Sequence, residues 1–135
     1  MKSFKGTFFS IHYPESWQLE IIENIPSLYR PDGPGALLIV AFRYEAETVD
    51  TKRELIRYLT SRNIKASENR ITTYELKPDL WASAIEFIHE ERFWFANLVG
   101  KDHKYILYLW NSDEIPTKDI ALEMSEIIKS TKYLE

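Results

Sequence analysis

Imidazole can bind a metal or move a proton near neutral pH, so the three histidines, His12, His89 and His103, are weighed first for chemistry. None has a second histidine four positions on, and none has a carboxylate at metal-site spacing. His89-Glu90-Glu91-Arg92-Phe93 departs from the His-Glu-x-x-His zinc motif at Phe93. The chain contains no cysteine, which removes disulfides, thiolate metal sites and a thiol nucleophile together. It has no Gly-x-Ser-x-Gly elbow to hold a hydrolase serine. Gly33-Pro34-Gly35 makes no phosphate cradle, because Pro34 lacks an N–H and a strand is expected to follow it. Glu90 and Glu91 would suit acid–base work, but neighbouring carboxylates at a hairpin tip read more simply as solvated groups. No catalytic residue, metal ligand or cofactor is assigned.

Binding residues are easier to nominate. Lys52, Arg53 and Arg57 lead the one basic concentration, which continues through Arg62, Lys65 and Arg70. Arg53 and Arg57 are four apart and share a helical face, which would suit an acidic partner or simply face water. Tyr13, Trp17, Tyr29 and Arg30 cluster around the first turns, and Tyr44 follows a strand end. Exposed Tyr, Trp and Arg anchor many interfaces, so a groove lined by the first four is the leading surface expectation.

The elements that position these residues belong to one domain spanning 1–135. Charge is mildly acidic, at −4, which argues against broad nucleic-acid binding. Aromatics reach 14%, the outlying feature of an otherwise ordinary globular composition. The longest apolar run is 36–42, far short of the ~20 residues that span a bilayer. With no apolar leader at the start, the expected setting is cytoplasmic, without membrane contact.

Strands are expected at 4–13, 18–22, 27–30, 36–43 and 71–76. A helix is expected over 51–62, with Thr51 and Glu54 forming a capping box. Residues 80–88 fit a strand or a helix, and the Phe93-Trp94-Phe95 cluster favours two strands over 80–99. A hairpin loop at 100–104 leads into a strand over 105–110. Ile120, Ala121, Met124, Ile127 and Ile128 mark a helix over 117–131.

Strands 36–42, 93–99 and 105–110 are apolar on both faces, so both sides of the sheet must be covered. Connections as short as 14–16 and 100–104 allow only antiparallel neighbours. The expectation is an α+β fold: an antiparallel sheet of about six to seven strands with covering elements on both sides. Should both helices share one face, the other would be an open aromatic surface.

Ser10-Ile11-His12-Tyr13-Pro14-Glu15-Ser16-Trp17 combines an extended apolar strand, Tyr-Pro, two residues and Trp. This resembles the opening of PsbP-like domains. The group includes the photosystem II extrinsic subunit, Ran-binding nuclear-import factors and small bacterial domains, some of them secretion chaperones. The Pro31-Asp32-Gly33 turn, the strand at 36–43, the helix near 51–62 and the C-terminal Ile127-Ile128-Lys129-Ser130 helix follow in the same order. The resemblance implies an α/β/α sandwich around an antiparallel sheet. It implies no activity, because no residue here matches a catalytic, manganese or Ran-contact signature of the group.

The functional expectation is a non-enzymatic interaction module, an adaptor or chaperone-like domain, with a protein partner or a second copy of itself. The alternative is a small-ligand binder, or an unorthodox enzyme, that uses a cleft between sheet and loops.

Overall fold

The structure is a computed structural model, and it describes residues 1–44 and 48–134. The first strand expected, 4–13, is two. β1 (Lys2–Lys5) and β2 (Phe9–Tyr13) pair antiparallel, with Lys2 opposite Tyr13. Gly6 makes the break: its N–H donates to the Phe9 carbonyl at 2.8 Å, and a Cβ there would sit 2.4 Å from the Phe9 ring. Only glycine lets the backbone pass that close.

β3 (Gln18–Ile22) and β4 (Ile25–Tyr29) form a hairpin through Glu23 and Asn24, both at positive φ, as a two-residue loop between right-twisted strands requires. β5 (Ala36–Arg43) completes a meander with them. α1 (Thr51–Ser61) follows. Its cap differs from the expectation. Asp50 is the N-cap, its carboxylate accepting from the Arg53 N–H at 3.1 Å, while Thr51 is the first helical residue. The Thr51 hydroxyl instead bonds Ser83 Oγ at 2.8 Å, and Ser83 bonds Thr73 Oγ1 at 2.8 Å.

A second meander runs through β6 (Thr72–Lys77), β7 (Leu80–His89), β8 (Arg92–Lys101) and β9 (Lys104–Ser112). Residues 80–88 are therefore strand, not helix. Glu90 and Glu91, both at positive φ, are the two-residue turn between β7 and β8. The hairpin loop expected at 100–104 shrinks to Asp102 and His103, because β8 and β9 pair as far as Lys101 and Lys104. α2 (Lys118–Lys129) is followed by β10 (Lys132–Tyr133), a short strand just beyond the helix expected over 117–131 and not itself expected.

The two meanders join where β5 pairs with β9, from Ala36–Asn111 to Arg43–Lys104. The result is a seven-stranded antiparallel sheet in the order β3-β4-β5-β9-β8-β7-β6, and a three-stranded sheet in the order β1-β2-β10. β9 lies in the middle and divides the core by alternation. Ile106, Tyr108 and Trp110 pack with Ile11, Trp17 and the α2 residues Ile120, Met124 and Ile127. Tyr105, Leu107 and Leu109 pack with Leu55 and Leu59 of α1. The helices thus cover opposite faces, and the small sheet shares the α2 side. The chain is an α+β layered sandwich, as the two-faced apolar strands require. On the α2 side, Tyr108 is fully enclosed, its hydroxyl bonded to Thr131 Oγ1, and burial pushes its phenol well above the usual tyrosine range.

Candidate functional site

The groove expected from Tyr13, Trp17, Tyr29 and Arg30 does not form as a surface. Tyr13 is 5% exposed and Trp17 is 0% exposed. Trp17 lies 6.2 Å from Trp110, ring to ring, and its indole N–H donates to Glu123 Oε1 at 3.1 Å. Arg30 donates to Asp119 at 3.0 Å and to Glu123 at 3.3 Å, with Asp32 at 3.5 Å. Its charge is spent on three carboxylates, which hold its pKa above the ordinary arginine value. Only Tyr29 keeps an open hydroxyl, with long contacts to Gln18 at 3.4 Å and Glu20 at 3.5 Å. Position beside a turn suggested exposure, but α2 crosses over this corner and encloses it. Trp17, Arg30, Asp119 and Glu123 form a clasp between α2 and the first meander.

Tyr44 also turns inward. Its hydroxyl donates to Glu54 Oε1 at 2.5 Å, and its ring lies 5.8 Å from that of Tyr105. Arg57 donates to the Tyr44 hydroxyl at 3.3 Å and stands 3.6 Å from Glu54. Burial, with Tyr44 and Glu54 alongside, pushes the Tyr105 phenol above its usual range. Arg57 is thus committed to its own helix and the adjoining loop. Lys52 and Arg53 are exposed on α1. His89 and His103 lie at opposite ends of β8, and His12 is on the small sheet. Among the described residues no group of three or more His, Asp or Glu is placed to hold a metal ion.

A different site stands out. Between α2 and strands β6–β8 lies a cleft of about 250 Å³. Tyr74 and Leu76 of β6, Phe93, Phe95 and Asn97 of β8, and Met124 and Ile128 of α2 line it. The exposed side chains of Glu86 and Lys129 stand at its mouth. Alternation puts Tyr74 and Leu76 on one face, and Phe93, Phe95 and Asn97 on the same side of the sheet. The gap exists because the strand between is small-sided here. Ala82 lies opposite Tyr74, and Ala84 lies opposite Asn97. Tyr74 therefore reaches across β7, where Asn97 Nδ2 donates to its hydroxyl at 2.7 Å. Asn97 is 3% exposed, and its Oδ1 is buried without a hydrogen-bond partner. Buried side-chain oxygens are mostly paired, so this one calls for an explanation.

This cleft was not among the sites expected from the sequence. Its signal was present: Asn97 is the single polar residue in the run Phe93–Val99, and alanines replace large residues in the facing strand.

Fold and site together define a layered α+β domain with an apolar cleft on its α2 face. No protein-family model matches the chain, and no curated protein does. Among solved structures, it is similar to a crystal structure from Bacteroides thetaiotaomicron VPI-5482, with a TM-score of 0.65 and 21% identity. The match covers 99% of this chain and 48% of that one, so the chain spans about half the length of this neighbour. At this identity the likeness shows the fold alone. Among the described residues no helix is long and apolar enough to cross a membrane.

Proposed function

We propose that this is a non-enzymatic binding domain that receives a small apolar group in the cleft between α2 and strands β6–β8. The floor of that cleft supports the reading: aromatic and aliphatic walls surround one buried amide whose oxygen is unpaired. Ligand sites pair mostly apolar linings with a few placed polar groups in this way. A volume of about 250 Å³ falls just below the roughly 300–1,000 Å³ usual for drug-sized ligands, so the group that enters is small. Binding is favoured over catalysis because the mouth residues Glu86 and Lys129 are solvated and the histidines lie elsewhere. A cytoplasmic setting belongs to the same proposal and suits a chain without cysteine. Kinship with the PsbP-like group is likewise proposed, on the Tyr13-to-Trp17 turn and the order of elements, and it supplies no activity.

The test is an amide chemical-shift titration with toluene. Saturable shifts centred on Tyr74, Asn97, Met124 and Ile128 are expected. Shifts that do not saturate, or that centre on another part of the domain, overturn the reading.

One observation favours a second reading, the protein-interaction module. β3 is an edge strand of the large sheet, and its Ile21 and Ile22 are 58% and 53% exposed. An edge strand with exposed apolar side chains is a template for pairing. A second copy of the chain is the proposed occupant. Light scattering after gel filtration should then give a dimer that Ile21→Lys converts to monomer; a monomer at all concentrations rules this reading out.

A further inference from the structure

We infer that the ligand of the α2 cleft carries, at the end of a small apolar body, a group that both donates and accepts a hydrogen bond: an alcohol or an amide. This rests on the cleft being a binding site at all. The Tyr74–Asn97 pair sets the polar end of the cleft. Asn97 Nδ2 donates to the Tyr74 hydroxyl, so the Tyr74 O–H proton is left to donate, and Asn97 Oδ1 is left to accept. Turning the amide over leads to the same place. Tyr74 would then donate to Oδ1, leaving an Nδ2 proton to give and the Tyr74 oxygen to receive. Either way, one donor and one acceptor stand side by side in an apolar cleft. A hydrocarbon would leave both unmade, and an ammonium or a carboxylate would satisfy one while stranding its charge among Phe93, Phe95 and Met124. A hydroxyl or an amide satisfies both.

The geometry also states what must move. Oδ1 is closed off from solvent, while Tyr74 and Phe95 are only half-buried. Tyr74 stands on β6, one of the two edge strands of the large sheet, so no further strand blocks its ring from swinging outward and releasing the Asn97 amide. Entry to the amide passes between these two rings.

The experiment compares four probes of similar shape by amide chemical-shift titration: benzyl alcohol and benzamide against toluene and ethylbenzene. The expected result is about ten-fold tighter binding of the first two, as one well-placed buried hydrogen bond would give. In the double variant Tyr74→Phe/Asn97→Leu, which removes both polar groups, the preference should fall to about two-fold or less while toluene binding persists. Equal affinity for all four probes in the parent protein overturns this inference but leaves the cleft a binding site. Failure of every probe to bind overturns the binding reading itself. A preference that survives both substitutions also overturns the inference, because the polar group would then be held elsewhere. The comparison of the four probes in the parent protein decides the matter even if the double variant folds poorly.

Discussion

Arg30 and Glu123, 93 positions apart in the chain, meet at 3.3 Å, and the same carboxylate oxygen accepts the indole N–H of Trp17 at 3.1 Å. One oxygen thus serves a guanidinium and a fully buried ring. Replacing Glu123 with Ala leaves the indole N–H without a partner and removes one of the three carboxylates around Arg30. A loss of about 1–3 kcal/mol in urea unfolding is expected. A change below about 0.5 kcal/mol, the usual size for a surface site, would mean the clasp contributes nothing.

Acid should act on the same clasp. The Thr117 hydroxyl first, and Arg30 second, hold the Asp119 carboxyl down to about 2, from an ordinary 3.8. Its folded-state pKa is depressed, so the unfolded chain takes up the proton first as pH falls. The stabilisation is complete above the ordinary value and is lost between about pH 4 and pH 2. Asp119→Asn should lose less stability than the parent across this window, as followed by thermal unfolding. Identical acid profiles would show that Asp119 is not coupled to folding.

A hydroxyl chain, Thr51–Ser83–Thr73, buried at Thr51 and Ser83 and open to solvent at Thr73, ties the first turn of α1 to β6 and β7. Ser83→Ala leaves the buried Thr51 hydroxyl without this partner, while the exposed Thr73 hydroxyl can turn to water. It should cost about 1–2 kcal/mol and speed amide exchange at the start of α1. Unchanged exchange in that turn would show that the hydroxyl chain does not hold the helix start.

Gly35 sits at φ +86°, and a Cβ there would lie 2.4 Å from the Trp110 ring and 2.8 Å from the Asn111 carbonyl oxygen. Backbone strain and overlap add, so Gly35→Ala should destabilise by more than about 2 kcal/mol. Chemical denaturation measures this, and a cost under 1 kcal/mol would mean the Pro31–Gly35 turn has room to shift.

Asn97→Leu should run the other way. It trades a buried, half-paired amide for a side chain of similar size, so stability should hold or rise by about 1 kcal/mol. A clear loss on thermal unfolding would show that the Asn97–Tyr74 hydrogen bond outweighs the unpaired oxygen.

Much of the fold was legible because β-alternation is strict. Tyr105, Leu107 and Leu109 against Ile106, Tyr108 and Trp110 announce a strand covered on both sides, and the two cores follow directly. The break at Gly6 was not legible, since it depends on where the Phe9 ring lies. Trp17 and Arg30 were misplaced for a related reason. Sequence proximity to a turn says nothing about a helix that arrives some hundred residues later to cover it. The cleft was hidden more deeply. It needs Tyr74, Ala82, Ala84 and Asn97 on adjacent strands in one register, and Asn97 reads as a fault in a strand until that register is known.

The β5–β9 seam has a consequence for how the chain reaches its fold. Strands β6 to β9 form by successive local hairpins, and β3 to β5 likewise, but the seam joins residues more than sixty positions apart. Closing so long a loop costs entropy before any pairing repays it. The seam should therefore be the late, rate-setting event. Because β9 carries both cores, the two helix-covered layers become fully native only when it closes.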